Sequence, residues 1–151
     1  MLENCESAKE RWGGVSNIID RWLQERQQLL VCYCNLSEEP ESKSAPESVQ
    51  QVCQLLVDYV SAGHFEVYDQ LVKEAREFDD EQALQEASKL IKTIDETTEL
   101  ALDFNDKYLE TDDLCTITVD LSRLGEVLAT RFEAEDRMIE VLHTAHKDLV
   151  V

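Results

Sequence analysis

Hydrophobic residues recur every three or four positions along most of the chain, which is the spacing of one face of an α-helix. The pattern predicts four long helices, at 15–36, from 44 to about 78, from 79 to about 108, and from 114 to 149. The first stripe includes Val15, Ile19, Trp22, Leu29 and Leu36. Gly13 and Gly14 are predicted to separate this helix from a short helical turn at 3–12.

Capping residues predict where the second and third helices begin. Ser44 and Glu47 have the spacing of a capping box, and Asp79 with Gln82 has the same spacing. Only four glycines and two prolines occur in 151 residues, so a sheet protein with many turns is disfavoured. Short connections between long helices favour an all-α, antiparallel up-down-up-down four-helix bundle with a short N-terminal helical turn. Its length favours a single domain, residues 1–151.

Several polar residues interrupt the hydrophobic stripes. Arg26 lies within the first stripe, His64 within the second, and Arg131 with Glu135 within the fourth. A rise of about 1.5 Å per residue puts Trp22, His64 and Glu135 at similar depths in an antiparallel bundle. We therefore expect a polar layer across the middle. Two interpretations remain open, an internal network that fixes helix register or a cleft that faces a partner.

The second helix is hydrophobic around more than half of its circumference, although a surface helix needs a stripe of only about 100°. Phe65 lies on one edge of this excess, close to Asp58 and Asp69. An aromatic anchor framed by carboxylates suits a basic partner helix. The alternative is that Phe65 packs inside the protein, against the first helix or the N-terminal turn.

Charge narrows the class of partner. Asp and Glu number 33 against 14 Lys and Arg, which gives a net charge of −19. Phosphates would be repelled, so direct nucleic-acid binding is disfavoured and a basic protein partner is favoured. Five cysteines without a C-x-x-C motif, and the lack of a signal peptide or membrane-spanning run, predict a cytoplasmic protein with reduced thiols.

Motifs of catalysis are missing from the sequence. There is no glycine-rich phosphate loop and no recognisable nucleophile motif, so we predict that the protein is not an enzyme and needs no cofactor. A di-iron bundle would need inward Glu and His ligands on all four helices, and Arg131 stands where a ligand would lie. His143 and His146 are expected to interact with the C-terminal helix dipole instead of a metal.

Three blocks of sequence resemble the Rsd/AlgQ family of anti-sigma regulators. They are IDRWL at 19–23 with Arg26, LVDYVSAGHF at 56–65 with Tyr68, and the run from Gly125 to Asp136 that contains RF and ED. The resemblance implies a helical bundle that sequesters the C-terminal, promoter-reading domain of the housekeeping sigma factor. It also implies a phosphotransfer carrier protein as a second candidate partner.

These observations define a candidate partner-binding site. It consists of Asp20, Trp22, Arg26, Asp58, Ser61, His64, Phe65, Tyr68, Arg131 and Glu135. Phe65 is expected to act as the apolar anchor and Asp58 as an acidic contact. Arg26, His64, Arg131 and Glu135 are candidates for an indirect role in shaping the cleft. An adaptor for a different regulatory protein, or a bundle that senses a metal or small molecule, remains an alternative.

Overall fold

A computed structural model describes residues 8–109, 111 and 113–149, and the side chains of residues 12–109, 111 and 113–147. Its elements are α1 (Ala8–Glu38), α2 (Ala45–Ala62), a π-helical turn (Gly63–Val67), α3 (Tyr68–Glu77), α4 (Glu81–Tyr108), α5 (Ile117–Leu142) and a 3-10 helix (Thr144–Leu149). The described residues form no strand. The prediction of an all-α helical bundle is confirmed.

The predicted break at Gly13 and Gly14 is wrong, because α1 begins at Ala8 and continues through both glycines. Glycine inside a helix costs about 0.5–1 kcal/mol relative to alanine. Tertiary contacts offset that cost. Trp12 Nε1 donates to the carbonyl of His143 at 3.0 Å, and the two rings stack with centroids 4.2 Å apart. Of the predicted turn at 3–12, residues 3–7 lie outside the described residues.

Two predicted helix caps differ from the structure. Ser44 precedes α2 but its side chain makes no capping hydrogen bond, and its hydroxyl pairs with that of Ser42 at 3.1 Å. At α4 the cap is Asp80, one residue later than predicted, and its Oδ1 accepts from the Ala83 amide at 3.1 Å. Asp79 has a φ of 53°, a left-handed conformation that Asp tolerates, so it forms the turn and leaves capping to its neighbour.

Pairs of contacts show how neighbouring helices run. Along α4 and α5, Lys107 pairs with Asp120 and Arg137 pairs with Glu86. Position numbers rise on one helix as they fall on the other, as in antiparallel neighbours. Across α2 and α4, Gln50 donates to the Tyr108 carbonyl at 2.8 Å.

The core lies between the helices and is built from the predicted stripes. Leu29, Leu56, Ile94, Leu128 and Leu142 are all buried. Each fully buried aliphatic side chain contributes about 1.5–3 kcal/mol relative to an exposed one. This hydrophobic contribution allows the bundle to hold polar side chains at its centre. None of the described helices combines the length and hydrophobicity that a membrane crossing requires.

The four cysteines within the described residues are free thiols, namely Cys32, Cys34, Cys53 and Cys115. Burial raises the pKa of the Cys53 thiol to about 11. A thiol with so high a pKa stays protonated at neutral pH and is a poor nucleophile.

Candidate partner-binding surface and the polar layer behind it

Glu135 is the centre of the polar layer, which we define as Arg26, Tyr59, Tyr68, Arg131 and Glu135. The residue is 1% exposed. Its Oε1 accepts from the Tyr59 hydroxyl at 2.6 Å and from Arg26 Nη2 at 3.4 Å. Its Oε2 accepts from Arg131 Nε at 3.2 Å and from the Tyr68 hydroxyl. Both carboxylate oxygens are thus satisfied without water.

Arg131 ties the polar layer to α4. Its side chain is fully buried. Nη1 donates to Thr98 Oγ1 at 2.7 Å and to Thr97 Oγ1 at 3.1 Å, and Nη2 donates to the Tyr68 hydroxyl at 3.0 Å. A buried guanidinium needs such partners, because a lone buried charge costs several kcal/mol.

Arg26 connects the layer to α1 and to the surface. Its Nε donates to the Tyr59 hydroxyl at 3.0 Å, and its Nη1 donates to Asp136 Oδ1 at 2.7 Å. The guanidinium also lies over the Phe132 ring, 4.5 Å from the centroid. Favourable cation–π contact and two acidic partners hold this cation in place.

Burial controls the acid–base properties of the layer. Desolvation raises the pKa of Glu135, although Arg131 opposes the shift. Desolvation, followed by the Glu135 charge, also raises the pKa of the Tyr59 and Tyr68 phenols. Both phenols are therefore neutral, and each donates to Glu135 while accepting from an arginine. The geometry is that of an internal network instead of an open cleft.

Phe65 lies between Tyr59 and Tyr68 on their helix and is 86% exposed. Asp58, Glu66 and Asp69 are exposed acidic residues near it along the chain. Asp58 accepts from Gln54 at 3.0 Å, and Asp69 pairs with Lys73 at 3.0 Å. We call Asp58, Phe65, Glu66 and Asp69, with Glu25 of α1, the acidic-aromatic surface.

Glu25 joins α1 to this surface. It lines a small cleft of about 100 Å³ together with Arg21, Trp22, Ala62 and Glu66. Burial, then the charges of Asp58 and Glu66, raise the pKa of the Glu25 carboxyl. Asp58 and Glu66 are therefore close enough to repel the Glu25 carboxylate, although Arg21 in the same cleft partly offsets that repulsion.

The predicted site residues divide into an exposed group of three and an enclosed group of seven, of which three are half-buried and four are buried. Exposed are Asp20, Asp58 and Phe65, half-buried are Arg26, Ser61 and His64, and buried are Trp22, Tyr68, Arg131 and Glu135. The four buried residues are enclosed, so they contact no partner directly in this conformation. His64 instead pairs with Thr98 Oγ1 at 2.9 Å and faces α4.

Sequence reasoning missed three residues of this region. Glu25 and Glu66 were not singled out, although Glu66 directly follows Phe65; Glu25 comes near Asp58 only through the fold. Tyr59 was not singled out either, yet it is fully buried and donates to Glu135. Most of the excess hydrophobic surface of that helix is packed, and Phe65 is its large exposed exception.

The sequence suggested that the C-terminal histidines interact with the helix dipole, but in the structure each also contacts a carboxylate. His143 Nδ1 contacts Glu74 Oε2 at 2.8 Å, and His146 Nε2 contacts Asp80 Oδ2 at 2.8 Å. Both imidazoles are buried. Their contacts hold the 3-10 helix and the residue before it against α3 and the start of α4. Within the described part of the chain no group of three or more His, Cys, Asp or Glu is arranged to hold a metal ion.

Comparison with known proteins shows the class of protein, which is a regulator of transcription and not an enzyme. Residues 1–143 match the family described as "Regulator of RNA polymerase sigma(70) subunit, Rsd/AlgQ". The chain belongs to the Rsd/AlgQ family, which confirms the resemblance and the non-catalytic role.

Relatives match over almost the whole chain. "Regulator of sigma D" of Salmonella arizonae is 34% identical over 157 residues, which cover 98% of this chain and 95% of the relative. "Regulator of sigma D" of Enterobacter sp. strain 638 is 36% identical over 148 residues, with coverage of 92% and 88%. Family membership therefore supports a role as a regulator of the sigma(70) subunit.

Proposed function

We propose that this protein binds the C-terminal, promoter-reading domain of the housekeeping sigma factor through the acidic-aromatic surface. Binding there withholds the sigma factor from core RNA polymerase. The single observation that carries the proposal is the 86% exposure of Phe65 beside the acidic residues Asp58, Glu66 and Asp69. The mechanism is stoichiometric occlusion, so no bond is made or broken.

Electrostatics support a partner that normally binds DNA. A helix-turn-helix presents basic side chains to phosphates, and a protein with a net charge of −19 is complementary to that surface. Long-range attraction accelerates encounter and is screened over about 8 Å at physiological salt. Asp58, Glu66 and Asp69 would then meet sigma arginines and lysines at short range.

Phe65 supplies the part of the affinity that salt does not remove. Complete burial of a phenylalanine side chain contributes about 1.5–3 kcal/mol. Such an anchor surrounded by charged rim residues is the usual arrangement of an interface hot spot. Asp20 and Ser61 are included in the proposed rim because the resemblance implies them as contact residues.

The polar layer has a different role in this proposal. Its members, together with Trp22 stacked on Tyr59, hold the helices that present the surface. Residues 1–151 are proposed to act as one domain in the cytoplasm, where the transcription machinery works. A phosphotransfer carrier as second partner stays a prediction from the resemblance.

Isothermal titration of the full chain into full-length sigma factor tests the proposal. A truncated sigma factor without its C-terminal domain, checked for binding to core polymerase, is the partner control. We expect binding to the full-length factor only, weaker at high salt.

Phe65→Ala should lower affinity about tenfold or more, because the anchor is lost. Leu109→Ala is the matched control, since Leu109 is a 47% exposed hydrophobic residue at the end of α4. Equal affinity for both sigma forms would contradict the assignment of the C-terminal domain. Unchanged affinity of Phe65→Ala would remove this surface from the interface.

A further inference from the structure

A single helix runs from Ala45 to Glu77, and it contains one wide turn at Gly63–Val67. The Tyr68 amide donates to the Gly63 carbonyl, five residues back, where an α-helix would use four. Such π turns are rare and are found frequently at functional sites. This turn carries Phe65 at its middle.

The wide turn explains how two tyrosines reach one carboxylate. Tyr59 and Tyr68 both donate to Glu135, one to each oxygen. They are nine residues apart, and at about 100° per residue an unbroken α-helix would put them on opposite sides. One extra residue in the turn removes about 100° of rotation, which leaves the two side chains about 80° apart. Convergence on Glu135 therefore requires the π turn.

Gly63 is needed at the start of this turn because its neighbours come very close. A Cβ at this position would lie 2.8 Å from the Tyr68 hydroxyl and 3.2 Å from Trp22 Cζ2. Neither neighbour is free to move. Tyr68 is held by Glu135 and Arg131, and Trp22 stacks on Tyr59 at 4.8 Å.

The same turn sets the direction of the exposed residues. Asp58 precedes it, Asp69 follows it, and Phe65 lies inside it. Loss of the extra residue would rotate Asp69 by about 100° relative to Asp58. Phe65 would no longer stand between the same carboxylates.

We propose that Gly63 is a positioning residue for Phe65. By allowing Tyr68 to pack against the helix and bond to Glu135, it holds the π turn that presents Phe65 and its flanking carboxylates to the partner. The inference rests on the proposed function, because it assumes that Phe65 contacts the sigma factor. Gly63 itself is buried and touches no partner.

A double-mutant cycle with full-length sigma factor tests this role. Gly63→Ala should weaken binding about tenfold, because the added methyl displaces Tyr68 and the turn. In a Phe65→Ala background the same change should cost clearly less, about threefold, because the anchor is already gone and only the flanking carboxylates are still displaced. A purely structural effect would be equally large in both backgrounds.

Two other glycines supply matched controls. A Cβ at Gly125 would collide with the Tyr33 hydroxyl, so Gly125→Ala also overpacks the protein but far from Phe65. It should lower stability and leave the affinity of the folded protein unchanged. Gly13 has open space around it, and Gly13→Ala should alter neither binding nor packing.

Tyr68→Phe provides a second route if Gly63→Ala does not fold. It loosens the turn by removing the hydroxyl bonds to Glu135 and Arg131, and it adds no bulk. It should also weaken binding more when Phe65 is present than in the Phe65→Ala background. If Phe65→Ala has no effect, the proposed surface fails. Two outcomes would reject the positioning role in a protein whose binding does depend on Phe65. One is normal binding by Gly63→Ala and Tyr68→Phe. The other is an equal loss from these changes whether or not Phe65 is present.

Discussion

Glu135 and Phe65 mark two regions of the molecule that use polar and apolar groups in opposite ways. In the polar layer, charged side chains are enclosed in the core and each is matched by hydrogen bonds. On the acidic-aromatic surface, a large hydrophobic ring is exposed to solvent on a helix that also carries exposed carboxylates. A hydrophobic pattern alone shows both as irregularities, and burial distinguishes them.

The comparison separates stability from recognition. Burying ions costs free energy, and their attraction repays it only when the geometry is satisfied, so a complete network adds little net stability. Removing one member is costly because the others stay buried without partners. The acidic-aromatic surface has the reverse character: its groups add little to folding and remain available for binding. Breaking each region should therefore give different results.

The largest effect is expected for Glu135→Ala. The change leaves Arg131 buried without its acidic partner, and it should lower the free energy of unfolding by about 3–5 kcal/mol. Urea denaturation followed by far-UV circular dichroism measures this loss. Asp136→Ala is the control on the same helix. Its carboxylate is exposed and pairs only with Arg26, so the loss should be below about 1 kcal/mol. Equal losses would show that enclosure does not distinguish the two acids.

A smaller loss is expected for Tyr68→Phe. The ring and its packing remain, but Glu135 and Arg131 each lose one hydrogen bond. Removing a hydrogen bond to a buried charged group costs about 1–3 kcal/mol. The same urea experiment applies, with Tyr33→Phe as control because Tyr33 donates to a backbone carbonyl, that of Leu121. A loss no greater than that of the control would argue against a charged partner.

His64 links the two regions and should make stability depend on pH. Burial, then the charge of Arg131, lowers the pKa of its imidazole from the ordinary 6.5. The unfolded chain therefore takes up this proton first, so the contribution to stability is present above about pH 6.5 and is lost as the pH falls toward the lower folded value. His64→Gln should lose less stability than the parent between about pH 7.5 and pH 5.5. An identical decrease in both proteins would contradict this assignment.

The smallest effect on folding is expected on the acidic-aromatic surface. Phe65→Ala should change the free energy of unfolding by no more than about 0.5 kcal/mol, since the ring is exposed. Thermal and urea unfolding both measure it. A loss of stability as large as that of Tyr68→Phe would mean that the Phe65 ring packs against the rest of the protein in solution and is not exposed for binding.

Periodicity predicted the bundle well, because long apolar stripes such as that of Trp22, Leu29 and Leu36 admit few alternative folds. Local signals were less reliable. Gly13 and Gly14 did not end a helix, since contacts of Trp12 with the distant His143 outweigh their weak propensity. A π turn leaves no simple mark in sequence, so a regular helical wheel could not show that Tyr59 and Tyr68 reach the same carboxylate.

The candidate site was predictable only in part. Periodicity identified Arg131 and Glu135 as out of place, and it placed Phe65 on the edge of the excess. Periodicity could not show which of these side chains faces inward, because that depends on the orientation of α2 and α3 about their own axes relative to α5. The structure resolves the ten residues into an exposed group and an enclosed one.

Photo-crosslinking from position 65 tests most directly whether the exposed region is the binding surface. Phe65 would be replaced by p-benzoylphenylalanine and, in a separate protein, Val31 by the same residue, since Val31 is 47% exposed on α1. After irradiation with full-length sigma factor, mass spectrometry identifies the joined peptides. We predict crosslinks from position 65 to the sigma C-terminal domain and none from position 31. Absence of crosslinks at position 65, or equal yields at both positions, would contradict the account.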